Sequence, residues 1–67
     1  MKYVLNGESH ETPDPASVLD LLGRLELLRR RVAVAINGEV VPKSRFAEVW
    51  IRDGDKVEVI HAVGGGA

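Results

Sequence analysis

Three dipeptides, Asn6-Gly7, Asn37-Gly38 and Asp53-Gly54, constrain the 67-residue chain more than any other feature. An Asn-Gly or Asp-Gly pair accepts the positive φ of a tight turn, so each marks a place where the backbone reverses. Met1 to Asn6 alternates Met1, Tyr3 and Leu5 with Lys2, Val4 and Asn6, which predicts a strand entering the first turn. The return strand, Glu8 to Thr12, is short and polar, as suits a sheet edge that must not recruit other chains. Around the second turn, Val32 to Ile36 is rich in β-branched residues, with Val32, Val34 and Ile36 on one face and Ala33 and Ala35 on the other. Glu39 to Val41 pairs back until Pro42 stops it, and Ser44 to Glu48 has room for one irregular helical turn. The third turn leads into Lys56 to Val63, where Val57, Val59 and His61 alternate with Glu58, Ile60 and Ala62.

Pro13 closes the second strand, and Asp14-Pro15 reads as an N-cap followed by proline at the first helical position. The predicted helix starts near Pro15 and buries a stripe of Val18, Leu19, Leu22 and Leu25, with Asp20 and Arg24 facing away. Gly23 is expected to end or fray it, and Glu26 to Arg31 reads either as a last turn or as a packed loop. The resulting order suits an α+β domain with one helix across a twisted mixed sheet, its first and last strands paired in parallel. Met1, Tyr3, Leu5, Val18, Leu22, Val32, Val34, Ile36, Val57 and Val59 form the predicted core, with Phe46 and Trp50 covering its end.

Length allows one domain, read as residues 1–63 with a tail at 64–67, and leaves little room for an enclosed active site. A net charge of −1 with a single basic run, Arg29 to Arg31, argues against nucleic acid as a partner. That run reads as a solvated loop. No apolar stretch approaches the roughly 18–20 residues that cross a bilayer, and the apolar start breaks at Asn6-Gly7, too soon for a signal peptide. The expectation is a soluble, cytoplasmic protein that does not engage membranes. With no cysteine, disulfides, thiolate metal sites and thiol nucleophiles are all excluded. His10 and His61 lack companions at metal-ligand spacing and read as surface or half-buried strand residues, although His61 lies where it could touch a partner. Asp53, Asp55 and Glu58 are close in sequence, but an Asp-Gly-Asp turn is better explained by side-chain bonds to backbone than by acid/base work.

Of the seven glycines, Gly7, Gly38 and Gly54 serve turns and Gly23 lies at the helix end. Gly64, Gly65 and Gly66 have no such local use. A glycine run after a strand is flexible and extended, and lacking Cβ atoms it can thread a narrow channel to deliver a carboxylate to a reactive centre. A disordered end of no function is the plain alternative. On the threading reading, Ile60, Ala62 and Val63, apolar and next to the run, would be docking surface.

The chain resembles the ThiS-type sulfur carriers, a family of small ubiquitin-like β-grasp proteins. The resemblance rests on the opening strand ending in Asn6-Gly7, the segment Val32-Ala33-Val34-Ala35-Ile36-Asn37, the following Val41-Pro42, the turn Asp53-Gly54-Asp55-Lys56-Val57, and the glycine tail. It implies one helix packed across a mixed sheet of four to five strands, with a flexible C-terminal tail. It also implies that the chain is a protein co-substrate rather than an enzyme. The carboxylate of Gly66, preceded by Gly64 and Gly65, would be adenylated by a ThiF-like enzyme using ATP and Mg²⁺, the chain itself binding no cofactor. A persulfide donor would then supply sulfur, and a ThiG-like thiazole synthase would use the thiocarboxylate to build the thiazole ring of thiamine. Ala67 departs from the family's terminal Gly-Gly and reads as a removable extension, a residue added for expression, or one the enzyme tolerates. Sulfur carriage toward molybdopterin, tRNA thiolation or cysteine stays open beside the thiamine branch. So do a ubiquitin-like protein modifier and a β-grasp interaction module with no activated terminus.

Overall fold

The turns form as their residue types require. Asn6 and Gly7 have φ of 49° and 84°, and Asn37 and Gly38 have 52° and 86°, so both central residues of each turn are left-handed. That is the conformation which matches the twist of a two-residue hairpin. In the computed structural model, which describes residues 1–61, these turns join β1 (Lys2–Leu5) to β2 (Glu8–Glu11) and β4 (Val32–Ile36) to β5 (Glu39–Val41). Between the hairpins lie β3 (Ala16–Ser17) and α1 (Val18–Arg24), and after them come a 3-10 turn at Lys43–Arg45, β6 (Trp50–Ile51) and β7 (Lys56–His61). The main sheet has the order β2-β1-β7-β4-β5, with β1 and β7 parallel, as predicted, and the other neighbours antiparallel. Ala62 to Ala67 lie outside the described residues.

The start and phase of the helix differ from the sequence reading. Its N-cap is Ser17 rather than Asp14: the Ser17 hydroxyl accepts from the Asp20 amide at 3.0 Å, and the Asp20 carboxylate accepts from the Ser17 amide at 3.1 Å. This reciprocal box satisfies two amides that would otherwise lack partners. The Val18 and Leu19 amides donate to the carbonyls of Val49 and Phe46, at 2.9 and 3.0 Å, so a distant segment completes the first turn. Ala16 and Ser17 precede it as a strand paired antiparallel with Trp50 and Ile51. The buried stripe is therefore Val18, Leu21 and Leu22, and Leu19 and Leu25 are left 42% and 37% exposed.

Gly23 does not end the helix, which continues through Arg24 to a C-cap at Leu25. The Leu27 amide donates to the Leu22 carbonyl at 2.8 Å and the Glu26 amide to the Gly23 carbonyl at 3.1 Å. This is the paired closure of a Schellman motif, with Glu26 at the left-handed position, φ 60°. Glycine is thus absent where the backbone favours it, while Gly23 sits in regular helix, where an added Cβ would meet Leu28 Cδ1 at an ordinary 3.6 Å. Gly23→Ala and Glu26→Gly are each expected to stabilise the domain by about 0.5–1 kcal/mol. The check is a rise of several degrees in the thermal midpoint, about 4–8 °C per kcal/mol for a domain of this size.

The core joins the helix stripe to the sheet residues Tyr3, Leu5, Val34, Val57 and Val59. Val41, Phe46 and Ile51 complete it, whereas Met1, Val32 and Ile36 pack only at its margin. Trp50 does not cover the core end: it is 52% exposed, because in β6 adjacent side chains point to opposite sides and Ile51 takes the inward one. The carboxylates of the third turn serve the backbone. Asp53 Oδ1 accepts from the Lys2 amide at 2.7 Å, and Asp55 Oδ2 accepts from the Arg52 amide at 2.8 Å.

Candidate functional site: the open sheet face and the end of the central strand

β7 lies in the middle of the sheet. Its alternation sends Val57 and Val59 into the core and Lys56, Glu58 and Ile60 to the face opposite the helix. The register places Ile60 across from Ala33, Glu58 across from Ala35, and Ala35 across from Val40. Directly paired residues share a face, so Val40, Ala35, Ala33 and Ile60 form one apolar strip on the open side. The two alanines keep its middle low, and Val40 and Ile60 stand 74% and 58% exposed at its ends.

Two predicted docking residues can be placed. Ile60 is exposed on the strip, and His61 is exposed at the last position of β7, paired with Val32. Ala62, Val63, Gly64, Gly65, Gly66 and Ala67 lie outside the described residues. Val40 is an addition that the sequence reading did not find. Alternation already places Ala33 and Ala35 on the outer face, but only the β4–β5 register shows that Val40 joins them.

The strand leading to this end is held by the first turn. The Asn6 amide donates to the Val57 carbonyl at 2.9 Å. Beyond that point β1 has turned away, and the Asn6 side chain replaces it. Its Oδ1 accepts from the Val59 amide at 2.9 Å and its Nδ2 donates to the Val59 carbonyl at 3.3 Å. A carboxamide presents one donor and one acceptor, the same pair as a peptide group, so it extends the ladder by one step. At the neighbouring turn Asn37 Oδ1 accepts from the Lys56 amide at 3.0 Å and its Nδ2 donates to Asp55 Oδ1 at 2.9 Å. The first residue of β7 and its middle, at Val59, are therefore held by turn asparagines.

Among the described residues no three His, Asp or Glu side chains converge into a metal-binding group. His10 stacks on Tyr3 with ring centroids 5.6 Å apart and planes 18° apart, and so has a packing role at the sheet edge. No described helix is long and apolar enough to cross a membrane.

A mixed five-stranded sheet crossed by one helix, with its central strand leading to a glycine run, is a ubiquitin-like β-grasp domain. Residues 3–66 match the model of the ThiS family. The chain belongs to that family. It is 38% identical over 63 residues to the sulfur carrier protein ThiS of Bacillus subtilis, covering 92% of this chain and 96% of that one. It is also 46% identical over 67 residues to a thiazole synthase of Paramagnetospirillum magneticum, covering 100% of this chain but only 21% of that protein's length. The crystal structure of a thiamine biosynthesis protein, ThiS, from Geobacter metallireducens superposes with a TM-score of 0.84 at 32% identity, covering 98% of this chain and 100% of that chain.

Proposed function

We propose that this chain is a sulfur carrier for thiamine biosynthesis and that Gly66 is the residue whose carboxylate is activated. The observation that carries the reading is the family match, which runs through Gly66 and leaves Ala67 outside it. A carboxylate is a poor electrophile because its charge is delocalised. In the proposed sequence its oxygen attacks the α-phosphate of ATP, the bond to pyrophosphate breaks, and an acyl-adenylate results. The terminal sulfur of a persulfide then attacks the acyl carbon and AMP leaves. Cleavage of the resulting acyl disulfide by a thiol releases the thiocarboxylate.

The chemistry assigns separate work to each party. ATP and Mg²⁺ belong to a ThiF-like adenylating enzyme, and this chain supplies the substrate atom, a thin lead of Gly64 and Gly65, and a docking face. Ile60 and His61, with Ala62 and Val63 beyond them, would bring the tail to that enzyme. A thiazole synthase is the proposed acceptor. It is supported by the Paramagnetospirillum relative, in which a segment like this chain and the name thiazole synthase share one polypeptide.

Ala67 would displace the carboxylate by up to about 3.3–3.6 Å, and a site fitted to glycine would clash with its methyl group. Incubated with the adenylating enzyme, ATP and a sulfur donor, a chain ending at Gly66 is expected to exchange oxygen for sulfur, as read by intact mass. The chain ending at Ala67 is expected to stay unchanged. Equal exchange in both would overturn the assignment to Gly66. Ile60→Asp is expected to weaken binding to the adenylating enzyme about tenfold or more while leaving the fold intact, since the side chain is already exposed. An unchanged dissociation constant would remove the strip from the docking face.

A further inference from the structure

A second surface lies on the helix side, where two leucines are left in water. Leu19 on α1 and Leu28 in the loop after it are 42% and 57% exposed. They wall a groove floored by Phe46, and its rim carries Arg30, Arg31 and Lys43. Among the described residues no carboxylate lines this groove. None of the three cations joins an ion pair among the described residues, where the one pair is Arg45 with Glu48. A chain whose net charge is −1 thus gathers around exposed apolar surface three positive charges that have no ion-pair partner among the described residues. The groove reaches Val32 and Ala33, which pair with His61 and Ile60, so it opens at the end of the sheet from which the tail departs.

We propose that this groove docks an acidic segment of the thiazole synthase that takes sulfur from the tail, a segment bearing one or two large apolar side chains beside carboxylates. The proposal rests on the sulfur-carrier reading and adds the chemistry by which the acceptor is recognised. Leucines 19 and 28 lose water contact when an apolar side chain enters between them. Guanidinium groups at the rim donate to carboxylates in a forked geometry, which fixes orientation as well as adding attraction. One wall, Leu19, belongs to the helix, and the other, Leu28, directly follows the residues that close its C-terminus, which limits the ordering needed on binding. The relative that joins such a segment to a thiazole synthase keeps the two at high effective concentration, where a modest dedicated contact suffices to seat the carrier. The groove meets the Ile60 strip only at Ala33, so the acceptor can engage Leu19, Leu28 and the three cations while the tail is handed on.

The test uses the chain ending at Gly66, the form expected to load sulfur, as the parent and measures its binding to the thiazole synthase of the same organism by calorimetry, at about 50 and about 300 mM NaCl. The variants are the double change R30E/R31E, Lys43→Glu and Leu28→Ser, with circular dichroism to confirm their folds. Charge reversal is expected to weaken binding about tenfold or more at low salt and to flatten the salt dependence. Leu28→Ser is expected to weaken it about fivefold at both salts. Thiocarboxylate formation by the adenylating enzyme should be unaffected in all three. Affinities within twofold of the parent chain, with the same salt dependence, would overturn the inference while sulfur loading continued to support the carrier reading. Failure of the chain ending at Gly66 to take up sulfur would count against the carrier reading itself. Loss of binding to the adenylating enzyme in place of the synthase would overturn the choice of occupant. So would Leu28 methyl signals that move when residues 62–67 are removed from the free chain, or a dimer in sedimentation that Leu28→Ser abolishes.

Discussion

A chain shortened to residues 1–63 is expected to fold as the full chain does and to form no thiocarboxylate. The described core draws only on residues up to Val59, so nothing in it depends on the missing segment. Reach is what changes: measured from the Gly66 form, three residues removed withdraw the carboxylate by up to about 10–11 Å. Matching thermal curves, together with an unshifted mass after incubation with adenylating enzyme, ATP and sulfur donor under conditions in which the chain ending at Gly66 gains sulfur, would bear this out. Sulfur uptake by the shortened chain would mean that the reactive group lies elsewhere. Retained function in cells would favour a β-grasp interaction module whose tail is not activated.

Leu21→Ala is expected to be the most damaging single substitution in the helix. Leu21 is 2% exposed and is among the largest fully buried side chains. Its truncation costs about 2–5 kcal/mol in lost burial and residual cavity. One core of this size rarely supplies more than about 3–5 kcal/mol, so the variant should be largely unfolded or melt at least about 10 °C lower. Leu19→Ala, two positions earlier and 42% exposed, should stay within about 0.5 kcal/mol of the parent chain. The reverse order of effects would restore the helix phase read from the apolar spacing.

That contrast also shows what the residues disclose on their own. The turns, the five strands of the main sheet and the exposure of Ile60 follow from local chemistry: the left-handed tolerance of Asn-Gly and the two-residue alternation of a strand. The phase of the helix does not. Asp14-Pro15 satisfies the local rules for a helix start as well as Ser17 does, and Leu19, Leu21, Leu22 and Leu25 fit more than one stripe. Carbonyls of Phe46 and Val49 decide between them, more than twenty residues away in the chain. Ala16–Ser17 and Trp50–Ile51 are too short to show any period, and each is a strand only because the other is present. The groove between Leu19 and Leu28 was illegible for a related reason, being assembled from the helix, its following loop and the 3-10 turn.

The place of β7 also bears on how the molecule is made. It is the middle strand of the sheet, yet the last described strand to leave the ribosome. Until it emerges, β1–β2 and β4–β5 are two separate hairpins without a common partner, and an isolated hairpin is at best marginally stable in water. Folding must wait for the strand that leads to the glycine run. Chains broken off earlier in synthesis stay open and are exposed to proteases. Any folded molecule that meets its enzymes has therefore already been translated at least through β7.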